Sequence, residues 1–121
     1  MNRRMLSTAL LLVGLVTSCG DSHPDDATAI SKAVGTDAEL QLGQSVYTAN
    51  CARCHGTTGA GGAGPSLHNS AAIKRFAFEE DDITWIENGG GVMPGFKGQL
   101  TAEQIAAVSK YVRTVLGDLK S

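Results

Sequence analysis

Apolar residues recur at helical spacing near the C-terminal end of the chain. Tyr111 lies beside an apolar stripe formed by Ile105, Val108, Val112 and Val115. This spacing is typical of a helix with one buried face. Thr101 and Gln104 form a capping-box pair ahead of the stripe, and Gly117 follows it. The pattern therefore predicts a helix that begins at Thr101 and ends at Gly117.

A second segment with helical spacing lies between residues 36 and 50. Thr36 and Glu39 have the spacing of a capping box, which predicts a helix start at Thr36. The positions that share one face of this helix are Leu40, Gly43 and Tyr47. We expect the helix to end near Asn50, directly before Cys51.

The region between these two helices carries weaker signals. Residues 56–66 are rich in glycine and predict a loop that lets backbone approach another group closely. A short helix is expected over 70–76. A further helix is expected to start at the acidic run 79–82 and to stop at the glycines 89–91. No segment reads as a strand, so we predict a small all-α domain of three to four helices over residues 36–121.

The first eighteen residues predict an export signal. Arg3 and Arg4 precede an apolar run at 9–16, which is too short to span a bilayer comfortably. The tetrapeptide that ends in Cys19 resembles a bacterial lipoprotein cleavage box, which implies removal of residues 1–18 and lipid attachment at Cys19. A plain secretory signal is the alternative, and Cys19 would then be an unpaired thiol.

Residues 19–35 predict a flexible tether between the lipid and the folded domain. Their composition is polar and acidic, and Pro24 disfavours a continuous helix. The chain has a formal net charge of −2, and loss of Arg3 and Arg4 with the signal makes it more acidic. This balance argues against nucleic-acid binding and against a polybasic membrane patch.

The segment Cys51-Ala52-Arg53-Cys54-His55 carries the most specific chemistry. Two cysteines two residues apart, followed at once by histidine, form the attachment signature of a c-type haem. The thiols of Cys51 and Cys54 form thioethers to such a haem, and His55 can ligate its iron. The alternative is a disulfide in an oxidising compartment. An export signal agrees with the haem reading, and one covalent haem c would supply apolar core that so small a domain lacks.

The order of these motifs resembles class I cytochromes c, here of a bacterial lipoprotein type. The resemblance covers about residues 36–117 and implies a cytochrome c fold around one haem, with His55 as the proximal and Met93 as the distal iron ligand. It also implies that the Pro65 carbonyl accepts a hydrogen bond from His55. His68 is the rival distal ligand, although it is more simply a surface histidine. The resemblance rests on Cys51–His55, on the pairs Gly64-Pro65 and Met93-Pro94, and on the helix-crossing positions Gly43 and Tyr111.

A thioether ligand at Met93 suits electron transfer, because it is neutral and soft and favours ferrous iron. The other reading is that Met93 is an ordinary core methionine. Leu67 and Phe96 are expected to pack on the haem, with Ile83 and Ile86 as further candidates. Trp85 either reaches a propionate or packs in the core.

These features predict an electron carrier rather than an enzyme. No paired-carboxylate, Ser-His-Asp or second metal constellation is evident in the sequence. We expect it to be lipid-anchored at Cys19 on the periplasmic side of a bacterial membrane, where it serves reductase and oxidase proteins of a respiratory chain. The alternatives are an electron-transfer subunit of a dehydrogenase or oxidase complex, and a haem sensor in which Met93 dissociates.

Overall fold

The computed structural model describes residues 24–121, which form six α-helices. In chain order these are α1 (Pro24–Val34), α2 (Ala38–Asn50), α3 (Ala52–His55), α4 (Ala71–Arg75), α5 (Glu79–Asn88) and α6 (Ala102–Tyr111). A π-helical turn, Val112–Leu116, continues α6. Over these residues the only β-type pairings are two isolated bridges. The predicted all-α class is confirmed.

The crossing of α2 and α6 is the most extensive contact between helices in this part of the chain. Gly43 lies at the crossing point, where a Cβ atom would stand 2.2 Å from the Ala107 carbonyl oxygen and 2.7 Å from the Tyr111 Cβ. Tyr47 and Tyr111 pack beside it with ring centroids 5.5 Å apart. A glycine inside a helix costs about 1 kcal/mol relative to alanine. The close approach of the two backbones explains why one is present here.

The start of α2 differs by one residue from the sequence prediction. Asp37, not Thr36, is the N-cap, and its carboxylate accepts a hydrogen bond from the Leu40 N–H at 3.0 Å. The predicted Thr36–Glu39 capping box is therefore wrong, because the neighbouring carboxylate satisfies the free N–H of the first turn. Glu39 instead pairs with Lys110 of α6, which also lies 3.6 Å from Asp37.

The start of α6 agrees with the sequence prediction. Gln104 N–H donates to Thr101 Oγ1 at 3.1 Å, and Thr101 N–H donates to Gln104 Oε1 at 2.9 Å. This reciprocal pair satisfies two N–H groups that the first turn leaves free. The π-helical turn then closes with a bond from Gly117 N–H to the Val112 carbonyl at 2.9 Å.

The predicted flexible tether over 19–35 is wrong for its larger part, because residues 24–34 form α1. Pro24 stands at the first helical position, where a missing N–H breaks no intrahelical bond, so it begins the helix rather than preventing it. Ile30 and Val34 are buried and join the hydrophobic core. Gly35, with a φ of 47°, turns the chain into α2. The folded part therefore includes α1 as well as the predicted domain.

The remaining helices agree with the sequence prediction. α4 falls within the expected 70–76 segment, and α5 runs from the acidic residues to Asn88. Gly89 ends α5 with a φ of 71°. Ser109 of α6 and Asp82 of α5 join the two helices through a buried hydrogen bond of 2.8 Å.

The predicted signal peptide, Cys19 and residues 20–23 lie outside the described residues. Within residues 24–121, no helix combines the length and apolar character needed to cross a membrane.

The α2–α6 contact generates a stability prediction. Gly43→Ala is expected to lower the free energy of unfolding by about 1–3 kcal/mol, because overpacking at a backbone contact outweighs the gain in helix propensity. Urea unfolding followed by circular dichroism measures this change. Ser45→Ala, at an exposed position on the same helix, is the control and is expected to stay within about 0.5 kcal/mol of the unsubstituted protein. Equal stability of the two variants would contradict the tight crossing.

Candidate functional site

The two cysteines and the histidine lie on one short helical stretch at the end of α2. Cys51 caps α2, and its carbonyl accepts hydrogen bonds from the N–H groups of Cys54 at 3.1 Å and His55 at 3.0 Å. Both cysteines are free thiols and are half-buried. Burial, with Cys54 beside it, raises the pKa of Cys51 to about 11. Two free thiols on a fixed turn, without a disulfide between them, are the arrangement that double thioether attachment requires.

The glycine-rich loop 56–66 folds back against this stretch. Gly64 N–H donates to the Cys54 carbonyl at 2.7 Å, and Gly61 N–H donates to the His55 carbonyl at 2.8 Å. A Cβ on Gly64 would lie 2.9 Å from His55 Cε1. The loop thus approaches the imidazole more closely than a side chain would permit, as the glycine content predicted.

His55 is oriented by the same loop. Its Nδ1 lies 2.9 Å from the Pro65 carbonyl oxygen. A carbonyl only accepts hydrogen bonds, so Nδ1 carries the proton and Nε2 keeps its lone pair. The structure therefore leaves Nε2 as the imidazole nitrogen that can bind a metal.

Met93 lies in a second glycine-rich loop, between α5 and α6. Two backbone hydrogen bonds of 3.0 Å join Met93 to Gly90. A Cβ on Gly89 would stand 2.5 Å from the Met93 carbonyl oxygen. A Cβ on Gly90 would stand 2.1 Å from the Trp85 ring. The loop is held tightly against α5, which restricts the backbone that carries the thioether.

These two loops face a single cavity of about 800 Å³. Cys51, Cys54, His55 and Met93 all line it. Binding sites for small molecules and cofactors are mostly apolar cavities of about 300–1,000 Å³. The apolar and aromatic residues that share the lining are Tyr47, Ala63, Pro65, Leu67, Ala71, Ala72, Phe76, Trp85, Ile86, Val92, Pro94, Phe96, Val108 and Val112.

The donor set and the shape of this cavity fit a haem c. Cys51 and Cys54 are placed for thioether bonds, and His55 presents a free nitrogen to the same space. The remaining walls are mostly apolar, as a porphyrin face requires. No group of three or more His, Cys, Asp or Glu side chains among residues 24–121 forms an alternative metal cluster.

The structure separates the haem-contact candidates into two groups. Leu67, Phe96 and Ile86 line the cavity, whereas Ile83 does not. His68 also lies outside the lining. It is not a surface residue as predicted, because it is only 4% exposed and its Nε2 hydrogen-bonds the Thr58 carbonyl at 2.9 Å.

The sequence did not predict that two charged residues, Arg75 and Asp82, line the cavity. Arg75 places its guanidinium 4.5 Å from the Trp85 ring centroid and 5.2 Å from that of Phe76. Asp82 is buried in the cavity wall. Asp82 stands one helical turn before Ile86, so helical spacing alone would place it on the buried face of α5. Its position within an acidic run instead suggested an exposed side chain.

Comparison with known proteins gives one family model and several similar proteins. Residues 38–112 match the family model described as cytochrome C oxidase, cbb3-type, subunit III. The cytochrome c6 of Chlorolobion braunii is 39% identical over 80 residues, covering 63% of this chain and 90% of that protein. The cytochrome c6 of Tetradesmus obliquus is 40% identical over 83 residues, covering 62% and 89%.

The chain is also similar to solved structures of two cytochromes c. Cytochrome c6 of the diatom Phaeodactylum tricornutum superposes with a TM-score of 0.52 at 31% identity, covering 60% of this chain and 88% of that one. Cytochrome CL of Methylophaga aminisulfidivorans superposes with a TM-score of 0.59 at 25% identity. The match covers 68% of this chain but only 56% of that longer protein.

The sequence motif, the cavity and the relatives therefore agree on one cofactor and one role. The chain belongs to the family described as cytochrome C oxidase, cbb3-type, subunit III, within the class I monohaem cytochromes c: it is a haem-based electron carrier with one covalently bound haem c.

Proposed function

We propose that this protein is a lipid-anchored electron carrier whose haem iron is ligated by His55 and Met93. The observation that carries the proposal is that both side chains line one apolar cavity together with Cys51 and Cys54. Bound there, the haem supplies one-electron transfer. Leu67 and Phe96 of the cavity lining exclude water from it.

His55 is the proposed proximal ligand, and Pro65 is its positioning partner. The 2.9 Å contact to the Pro65 carbonyl fixes the tautomer and the ring orientation of His55. A hydrogen bond from Nδ1–H to a carbonyl also raises the basicity of Nε2 as a ligand. The close contact of Gly64 with the imidazole supports the same orientation.

Met93 is the proposed distal ligand. A thioether is soft and uncharged and raises the potential relative to a second imidazole. It takes up no proton, so electron transfer at this position moves none. The other methionines, Met1 and Met5, fall in the predicted signal peptide. His68, the rival ligand, lies outside the cavity lining and already hydrogen-bonds the Thr58 carbonyl.

The proposed chain organisation follows from the export signal and from α1. Residues 1–18 would be removed as a signal peptide, and Cys19 would carry the lipid. Residues 20–23 would then join the lipid to a folded unit that starts at α1. The protein would act on the periplasmic side of a bacterial membrane, between a reductase and an oxidase of a respiratory chain.

We propose further that the protein is not an enzyme. His55 and Met93 would together hold the iron, so the chemistry that the haem would supply is electron transfer rather than substrate binding. The haem cavity also lacks a paired-carboxylate or nucleophile–base arrangement among the described residues that line it.

A second candidate function is an electron-transfer subunit held in a larger complex. The description of the matching family, an oxidase subunit, favours it. The same site chemistry serves both functions, so they differ in whether the domain leaves its partner.

The ligand assignment predicts the behaviour of Met93→Ala. Loss of the thioether is expected to remove the methionine–ferric charge-transfer absorption and to lower the potential, because a weaker or harder ligand favours ferric iron. The reduced variant is also expected to bind carbon monoxide at neutral pH, whereas the unsubstituted protein does not. Absorption spectroscopy and redox titration measure these changes.

Val92→Ala is the matched control for Met93→Ala, because Val92 precedes Met93 in the same cavity-lining loop, is 97% exposed and offers no atom that can ligate iron. It is expected to keep the absorption band and the potential. If the band and the potential survive in Met93→Ala, another residue is the distal ligand. Carbon monoxide binding by the unsubstituted protein would instead favour the sensor reading.

The free-carrier proposal predicts that the protein separates from large complexes when membranes are solubilised in mild detergent. Size-exclusion chromatography followed by haem staining gives the distribution. Migration with one large complex at a constant stoichiometry would support the subunit function and contradict the free carrier.

The anchor proposal predicts that cells supplied with a radioactive fatty acid label this protein. Cys19→Ser is expected to lose the label and to leave the membrane fraction, because one sulfur carries the diacylglycerol. An unlabelled protein of the unsubstituted sequence would remove the lipid anchor from the proposal while leaving the haem site untouched.

A further inference from the structure

Asp82 is a buried carboxylate in the wall of the haem cavity. It lies on α5, its exposed fraction is 5%, and it lines the cavity alongside Trp85 and Ile86. Its Oδ2 accepts a hydrogen bond of 2.8 Å from Ser109 Oγ, and Ser109 is fully buried on α6. Acidic side chains are seldom so buried without a cationic partner. An uncharged hydrogen-bonded pair would join α5 and α6 equally well, so stability alone does not explain a carboxylate at this position.

The charges around Asp82 are few. On its own helix, Glu79, Glu80 and Asp81 are exposed. The positive charge of Arg113, in the π-helical turn, lowers the pKa of the carboxylate. The Arg113 guanidinium donates its hydrogen bonds to other groups, the carbonyls of Phe76 at 3.0 Å and Ala77 at 3.4 Å. α6 offers Asp82 the hydroxyl of Ser109, and no ion pair joins Asp82 to α6 within residues 24–121.

The other ionisable side chains of the cavity wall have roles of their own. Arg75 stacks on the Trp85 and Phe76 rings, and His55 hydrogen-bonds Pro65. Tyr47 donates to the Gly56 carbonyl at 2.7 Å. Arg53 also lines the cavity, from an exposed position in the attachment segment. None of these forms an ion pair with Asp82 in the described part of the chain.

Burial raises the pKa of Asp82, and the opposing effects of the Ser109 hydrogen bond and the Arg113 charge do not cancel that increase. A cofactor in the cavity would add more low-dielectric surface beside the carboxyl group, which disfavours its charged form further. It also adds a charge that changes by one unit with every electron. In a low-dielectric wall such a change acts strongly on a neighbouring ionisable group.

We propose that Asp82 is a redox-linked proton site, which takes up one proton when the haem site accepts an electron and releases it when the electron leaves. This goes beyond the proposed function, in which one electron moves alone. It requires a haem in the cavity but does not depend on which side chain lies opposite His55.

The step balances in charge and in atoms. The electron comes from a reduced one-electron redox protein, which is thereby oxidised. The proton comes from the solvent and forms an O–H bond on an Asp82 carboxylate oxygen. When the electron passes to an oxidised partner, that O–H bond breaks and the proton returns to the solvent. The net charge of the cavity is the same before and after each transfer.

The expected pH dependence follows from the sign of the change. Reduction removes positive charge, so the carboxyl pKa is higher in the reduced than in the oxidised protein. The potential is therefore expected to fall with rising pH between these two pKa values and to be flat outside them. A tenfold change in proton concentration shifts a one-electron potential by at most about 59 mV.

The test is a redox titration of the holoprotein at a series of pH values. Asp82→Asn, which keeps the shape and removes the proton, is expected to lose the slope and to hold the low-pH potential throughout. Asp81→Asn removes the same charge from the adjacent exposed position and is expected to keep the slope. A flat profile in the unsubstituted protein, or the same slope in Asp82→Asn, overturns the proposal.

Ser109→Ala provides a second variant that retains the carboxyl group. Loss of the hydrogen bond that lowers the Asp82 pKa is expected to move the sloping region to higher pH. An unmoved region would show that another group, such as a haem propionate, takes up the proton.

Infrared difference spectroscopy supplies a readout that does not need Asp82→Asn to fold. Reduction of the unsubstituted protein within the sloping region is expected to produce the C=O stretch of a protonated carboxyl group, and Ser109→Ala is expected to shift its frequency. Absence of the band overturns the proton site. In every case the protein still accepts electrons, so failure here leaves the carrier function intact.

Discussion

The backbone contact between α2 and α6 at Gly43 is the constraint on which the haem site depends. This contact aligns the C-terminal end of α2, where Cys51 begins the attachment segment, with Val108 of α6 and with Val112 of the π-helical turn that continues α6. If α6 were displaced, the cavity would lose the part of its lining that Val108 and Val112 form. Because Gly43 has no side chain, the two helices can pack this closely, although Gly43 itself does not line the cavity.

The two glycine-rich loops that line the cavity also depend on close contacts that a side chain would prevent. Gly64 lets the Pro65 carbonyl reach the imidazole of His55, and Gly90 lets the Met93 loop pack against the Trp85 ring. Backbone hydrogen bonds within the protein hold each loop, such as Gly64 N–H to the Cys54 carbonyl and Met93 N–H to the Gly90 carbonyl. The positions of His55 and Met93 are therefore set by these backbone contacts rather than by long side chains.

Local signals were sufficient to predict the attachment segment, the all-α class and the α6 capping box, because each depends on residues close together in sequence. The Gly64-Pro65 and Met93-Pro94 pairs also lie in the cavity lining. The failures at Pro24, Thr36 and His68 have different physical causes. Pro24 reads as a helix breaker in the sequence although it occupies the first turn of α1, and Asp37 takes the place of Thr36 as the N-cap of α2. Burial of His68 against the Thr58 carbonyl is a long-range contact that no local pattern reveals.

A lipid at the proposed Cys19, together with a helix that starts at Pro24, would limit where this carrier could exchange electrons. A lipid at the proposed Cys19 would be separated from α1 by residues 20–23, which span at most about 18 Å when fully extended. So short a connection would confine the domain to a thin layer over one membrane surface. Partners embedded in that membrane would experience a high effective concentration of the carrier, whereas partners in an opposing membrane would experience none.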